Sequence, residues 1–103
     1  AFDIQTWIDY AKAYAESVGL RLESSAVDCW DNPIDAAADR IYLERDICSR
    51  LNRYAAAETI TDVWVWYEAV GANSYLIYIG YASFHTLNGA SQKCGAFFMS
   101  TRR

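Results

Sequence analysis

Apolar residues recur every three or four positions over the first eighteen residues, and charged residues lie on the opposite side. The recurring positions are Ile4, Ile8, Ala11, Ala15 and Val18. This spacing is typical of an amphipathic α-helix. Asp3 suits the N-cap position, and Gly19 followed by Leu20 is typical of a helix that ends in a left-handed turn. The pattern predicts a helix over residues 3–18.

Residues 20–27 then alternate between two faces, of which neither is strongly apolar. This alternation predicts a short strand at a sheet edge. Asn32 followed by Pro33 is typical of a helix start, with Asn32 as the cap and Pro33 in the first turn. We therefore expect a second helix that continues to about Ala56. Its predicted buried face consists of Ile34, Ala37, Ile41, Cys48, Leu51 and Ala55.

The period changes to two after Glu58. Residues 59–70 and 75–87 are rich in β-branched and aromatic side chains, which favour strands. The Asn88-Gly89 pair predicts a tight hairpin into a further strand at residues 91–100. The resulting order is α-β-α-β-β-β in a single domain over residues 1–103. It predicts an α+β fold, a two-layer α/β sandwich with two helices packed on a four-stranded, mainly antiparallel sheet.

Both faces of the hairpin at residues 59–87 are apolar, which is unusual for a sheet with one face in water. Two helices on one side of the sheet would leave the other side aromatic and exposed. An apolar patch of that kind usually marks an interface or a ligand groove. We expect a contact surface formed by Trp64, Trp66 and Tyr78, with Glu68 on the same face. In the alternative arrangement the helices pack on opposite sides and bury both faces.

The composition indicates a chain that folds and that has many aromatic side chains available for contacts. The chain has 103 residues, 53% of them hydrophobic, and includes eight Tyr and four Trp, residue types that are enriched at interfaces. The net charge of -4 argues against nucleic acid and anionic lipid as main partners. No stretch of the sequence reaches the roughly 18 uncharged apolar residues of a transmembrane helix.

Candidate catalytic chemistry centres on His85, the single histidine. Ser83, Ser91 or Cys94 could approach it across the predicted hairpin, but no nucleophile motif such as GxSxG surrounds them. Cross-strand polar side chains near a turn are the better interpretation. We expect no enzymatic activity and no cofactor, with a small hydrolase as the third-ranked hypothesis.

Two groups of carboxylates are candidate sites. Glu68 could pair with Asp62 or Glu58 for acid–base chemistry, although an arginine partner such as Arg21 or Arg40 is the ordinary alternative. The other group does not have the spacing of a calcium loop, so we expect no metal site. Its members are Asp28, Asp31 and Asp35.

The three cysteines allow at most one intrachain disulfide. Cys48 lies on the predicted apolar stripe of the second helix, whereas Cys29 and Cys94 lie at element boundaries. We expect a bridge from Cys29 to Cys94, with Cys48–Cys94 as the alternative. In a cytosolic protein all three thiols would stay reduced.

The two ends of the chain suggest processing. The sequence opens without Met directly into the helical pattern, and it ends in Arg102-Arg103, a pair of the kind left by prohormone-type proteases. These features predict a mature segment excised from a secreted precursor. An arbitrary boundary is the alternative.

Two local stretches resemble secreted fungal killer-toxin-like proteins and effectors. They are Val27-Asp28-Cys29 before a predicted helix, and Lys93-Cys94-Gly95-Ala96-Phe97-Phe98 on the last predicted strand. The resemblance implies a small α/β sandwich that is exported and acts on a target cell by contact with its envelope. We therefore expect a secreted, non-enzymatic toxin or effector that acts through its aromatic face on a protein or cell-envelope target, with a homo-oligomer as a form that the same face would allow. A soluble ligand-binding or dimerisation domain is the alternative.

Overall fold

The structure is a computed structural model and describes residues 2–83. The predicted strand at residues 91–100, the Asn88-Gly89 hairpin and His85 lie outside these residues. The described elements are α1 (Ile4–Ser17), β1 (Arg21–Leu22), β2 (Ile34–Ala37), α2 (Leu43–Ala56), β3 (Asp62–Gly71) and β4 (Ser74–Ala82). The sheet has the strand order β1-β3-β4-β2; β1 runs parallel to β3, and the other pairs are antiparallel.

Helix α1 forms where the apolar period predicted it. The Asp3 carboxylate accepts a hydrogen bond from the Gln5 amide at 3.1 Å, which satisfies one of the free N–H groups of the first turn. At the other end Gly19 has a φ of 97°, and the Leu20 amide donates to the Ala15 carbonyl at 3.0 Å. These contacts fix both ends of the helix.

The predicted start of the second helix is wrong, because residues Ile34–Ala37 form β2 instead. This strand pairs with β4, and Ile34 lies opposite Ile77. Ile34 and Ala36 are buried while Asp35 is exposed, which is the alternation of a strand with one covered face. Pro33 therefore precedes a strand at the edge of the sheet formed by residues 2–83, a position that tolerates a residue without an amide hydrogen.

Helix α2 is correspondingly shorter than predicted and begins at Leu43. Ile41, predicted to be buried, lies before the helix and is 80% exposed. Of the predicted buried face, Leu51 is fully enclosed and Cys48 is half-buried. The side chains that α2 buries are those of Leu43, Ile47, Leu51 and Tyr54.

Both helices pack on one face of the sheet, which we call the inner face. Helix α1 contacts β1 and β3, α2 contacts β2, and the two helices contact each other. The strands contribute to this single core the buried side chains of Ile34, Ala36, Val63, Val65, Ile77, Ile79 and Tyr81. The α+β class and the two-layer arrangement are confirmed. The element order within residues 2–83 is α-β-β-α-β-β, which differs from the predicted order because β2 was not anticipated.

Candidate functional site: the aromatic outer face

The opposite side of the sheet, which we call the outer face, carries the alternate side chains of β3 and β4. The strand register places Trp64 opposite Gly80, Trp66 opposite Tyr78 and Glu68 opposite Leu76. Since both helices lie on the inner face, neither helix covers the centre of this side. Trp64, Trp66 and Tyr78 are half-buried, and Glu68 is exposed.

The segment between β1 and β2 crosses the outer face at Gly80. A Cβ atom on Gly80 would lie 2.0 Å from the Ala26 carbonyl oxygen and 3.0 Å from Cζ3 of Trp66. The segment is held there because the Tyr81 amide donates to the Cys29 carbonyl at 2.9 Å, and Trp30 forms a β-bridge with Gly80. This close approach is possible only with glycine, and it fixes the position of Trp30.

Trp30, Trp66 and Tyr78 pack against one another, and we call these three side chains the aromatic cluster. The Trp66 and Tyr78 rings are nearly parallel, with an interplanar angle of 7° and centroids 5.4 Å apart. The Trp30 ring stands at 87° to Trp66 and at 90° to Tyr78, with centroids 5.8 Å away in both cases. These are the separations and angles that aromatic pairs prefer. Trp30 nevertheless remains 42% exposed.

A carboxylate adjoins the aromatic cluster. The Tyr78 hydroxyl donates a hydrogen bond to Oε1 of Glu68 at 2.8 Å. This bond raises the pKa of the Tyr78 phenol, with smaller contributions from burial and from the negative charge of Glu68. The contact fixes the carboxylate beside the rings and leaves its second oxygen without a hydrogen bond to the described residues.

Trp64 lies on the same face, but the ammonium group of a lysine already covers its ring. The Lys12 ammonium group of α1 lies 3.9 Å from the centroid of the Trp64 ring, within the range of a cation–π interaction. Strand β1 ends at Leu22, opposite Val63. Because β1 does not extend alongside Trp64, Lys12 can reach the indole past the edge of β3. Lys12 therefore shows that an indole of this face binds a positive charge.

The structure brings together three of the four residues predicted for the contact surface, namely Trp66, Tyr78 and Glu68. Trp64 lies on the same face beneath Lys12.

Sequence reasoning missed Trp30, because it falls in an irregular segment whose position depends on the close approach to Gly80. The only signal in the sequence was a tryptophan in a segment expected to be irregular and exposed. The two arginines suggested as partners of Glu68 form ion pairs with other carboxylates. Arg21 pairs with Asp62 at 2.8 Å, and Arg40 pairs with Asp46 at 2.7 Å.

The other candidate sites receive no support within residues 2–83. This part of the chain contains no group of three or more His, Cys, Asp or Glu side chains that could hold a metal ion. Its helices are also too short or too polar to span a membrane. Of the three acidic residues considered for calcium, Asp31 is paired with Arg53.

Cys48 has a free thiol, which disfavours the alternative Cys48–Cys94 pairing. The Tyr10 hydroxyl lies 3.2 Å from its sulfur and 3.1 Å from Oε2 of Glu44. The contact with Cys48 raises the pKa of Tyr10, and burial and Glu44 raise it further. Cys94 lies outside the described residues, so the Cys29–Cys94 bridge stays a prediction.

Comparison with known proteins gives no relative: no protein-family model, no curated protein and no solved structure matches this chain.

Proposed function

We propose that this chain is a non-enzymatic binding protein that captures a lysine- or arginine-bearing segment of a partner protein on its outer face. The observation that supports this most directly is the aromatic cluster, with Trp30 partly exposed and the Glu68 carboxylate beside it. Exposed Trp and Tyr with a fixed polar neighbour are typical of the centres of protein interfaces.

An interface role explains why Trp30 stays partly in water. Its ring packs against Trp66 and Tyr78, yet the residue remains 42% exposed. Each fully buried aromatic side chain contributes about 1.5–3 kcal/mol relative to an exposed one. Because Trp30 is only partly buried, part of this stabilisation is absent in the free protein and would be gained when a partner covers the ring.

The negative charge of the chain and of its outer face favours a cationic partner. The chain carries a net charge of -4, and the exposed Glu68 carboxylate borders the aromatic rings. A positive side chain over an aromatic face gains about 0.5–2 kcal/mol, more when water is excluded. The Lys12–Trp64 contact is an example of this interaction within the same face. A lysine or arginine of a partner would thus meet both an aromatic surface and a carboxylate.

Secretion and action as a toxin or effector on a target cell stay predictions that come from the resemblance. They are compatible with a binding surface of this kind, since a contact-dependent toxin or effector needs one. Self-association through the outer face is the competing use of the same residues.

Titration of the protein with a penta-lysine peptide, followed by tryptophan fluorescence, tests the proposal. We expect Trp30→Ala and Glu68→Gln each to raise the Kd at least about fivefold, the loss of roughly 1 kcal/mol expected for a central contact. Gln keeps an oxygen that can accept the Tyr78 hydrogen bond, so it removes the charge with little change in shape. Tyr42→Ala is the matched control, because Tyr42 is an exposed aromatic residue away from the outer face.

Two results would contradict the proposal. One is equal affinity for penta-lysine and penta-glutamate. The other is a loss of affinity in Tyr42→Ala as large as in Trp30→Ala. Light scattering on the purified protein distinguishes the competing use. A dimer that Trp30→Ala converts to a monomer would show that a second copy of the chain occupies the outer face.

A further inference from the structure

A cavity of about 390 Å³ lies between β2 and α2, at the opposite end of the sheet order from β1. Its volume is within the range of small-molecule sites. Arg40, Arg50 and Arg53 all line it, together with the Ser49 hydroxyl. Residues 2–83 contain five arginines, so most of the guanidinium groups in this part of a net acidic chain converge on one cavity.

The three arginines differ in how their charge is compensated. Arg40 donates to Oδ2 of Asp46 at 2.7 Å, and Arg53 pairs with Asp31. Arg50 instead donates from Nη1 to the Asn32 carbonyl at 2.7 Å, and it forms no ion pair within 4.0 Å among residues 2–83. Its hydrogen bond is therefore to a neutral carbonyl, although the nearby Asp31 carboxylate interacts with its charge, and its remaining N–H donors can bind another acceptor.

We propose that this cavity binds a small carboxylic acid, with the guanidinium of Arg50 as the main partner of the carboxylate. Arginine suits this ligand because its planar fork matches the two oxygens of a carboxylate. The hydrogen bond to the Asn32 carbonyl reduces the freedom that Arg50 would lose on binding. The Ser49 hydroxyl, on the same surface of α2, offers a further donor.

The charges and the apolar residues of the cavity lining indicate which class of ligand it would bind. Arg40 is paired with Asp46 and Arg53 with Asp31, so Arg50 is the one arginine of the lining outside an ion pair, and a single guanidinium suits a monoanion better than a phosphate dianion. Pro33 and Ile34 form an apolar part of the wall, against which a hydrocarbon body can pack. A monocarboxylate with a compact apolar body fits both features.

The test compares benzoate, its uncharged analogue benzamide and inorganic phosphate at constant ionic strength, with amide chemical shifts of the full chain as the readout. We expect benzoate to shift the amides of α2 and β2 in a saturable manner, and benzamide and phosphate to bind at least tenfold more weakly. Arg50→Gln should weaken benzoate binding at least tenfold. Lys12→Gln is the matched control, because it also removes one positive charge, and Lys12 lies over Trp64 rather than in the cavity lining.

Asp46→Asn provides a second variant that tests the same site by a gain of affinity. It removes a negative charge from the lining and releases Arg40, so benzoate should bind at least threefold more tightly. Equal binding of benzoate and benzamide, tighter binding of phosphate, or an unchanged Kd in Arg50→Gln would each overturn the proposal. This site is independent of the outer face, so Arg50→Gln should leave penta-lysine binding unchanged.

Discussion

At the residue scale, the outer face depends on a position where no side chain fits. Gly80 lies beneath the backbone of Ala26, and the same segment carries Trp30 over the sheet. Backbone atoms cannot move aside as the end of a flexible side chain can. The aromatic cluster is therefore assembled by one glycine as much as by its three rings.

Gly80→Ala should destabilise the protein by about 1–3 kcal/mol or more, because the added Cβ would overlap the Ala26 carbonyl oxygen and displace the crossing segment. Urea unfolding followed by circular dichroism measures this change. Gly71→Ala is the control, since its Cβ would meet Ser74 at an ordinary 3.6 Å. Similar losses in the two variants would show that the segment does not cross the sheet at Gly80.

Asp31 links stability to pH. Burial alone would raise its pKa, but the Asn32 amide, the Arg53 hydrogen bond and the charges of Arg50 and Arg53 outweigh burial, so the pKa lies below its ordinary 3.8. The folded state thus holds this proton less tightly than the unfolded state. Its stabilising contribution is present above the unfolded pKa and is lost as the pH falls through the folded pKa.

We therefore expect Asp31→Asn to be less stable than the wild type at about pH 6, and the difference to shrink as the pH falls well below 3.8. Free energies of unfolding measured over a pH series test this. Arg53→Gln should reduce the same dependence, because it removes one of the groups that lower the pKa of Asp31. A stability difference that does not change with pH would contradict the assignment.

At the element scale, α1, β3 and β4 follow from the sequence because their apolar periods are long and regular. Strand β2 does not, because Asn32-Pro33 is a good helix start and four residues are too few to establish a period. Its strand conformation is fixed by pairing with β4, a contact distant in sequence. The same limit applies to the functional residues. Trp66, Tyr78 and Glu68 could be placed on one face by alternation, whereas Trp30 reaches that face only through the fold.

The start of α2 can be tested by two substitutions of aliphatic residues. Leu51→Ala should cost about 2–5 kcal/mol, since Leu51 is fully buried in the core. Ile41→Ala should change stability by less than about 0.5 kcal/mol, because Ile41 is 80% exposed and lies before the helix. Urea unfolding provides both values. A large loss in Ile41→Ala would restore the longer helix that the sequence pattern predicted.

At the scale of the whole molecule, two sites of different character lie in separate places. The outer face offers aromatic rings and a carboxylate, and the cavity beside α2 offers arginines. The chain is small, and its one described core joins both helices to the inner face of the sheet. A covalent bridge between Cys29 and Cys94 would close a loop of about 65 residues and add about 4 kcal/mol in the chain-entropy model.

The predicted bridge has a simple chemical test. Protein prepared under oxidising conditions and then denatured without reductant should contain one reactive thiol, that of Cys48. Cys48→Ser should then contain none, and Cys94→Ser should expose the thiol of Cys29 in addition to that of Cys48. Three reactive thiols in the wild type would contradict the bridge and would favour the reducing compartment of the alternative hypothesis.

The most direct test of the binding surface is nuclear magnetic resonance of the four tryptophan indole N–H groups during titration with penta-lysine. Trp30 and Trp66 are in the aromatic cluster. Trp7 belongs to α1, where its ring packs against Tyr10, and it provides an internal reference. We expect the indole signals of Trp30 and Trp66 to shift in a saturable manner while that of Trp7 stays in place. A uniform shift of all four signals, or no shift at Trp30, would contradict the outer face as the site of contact.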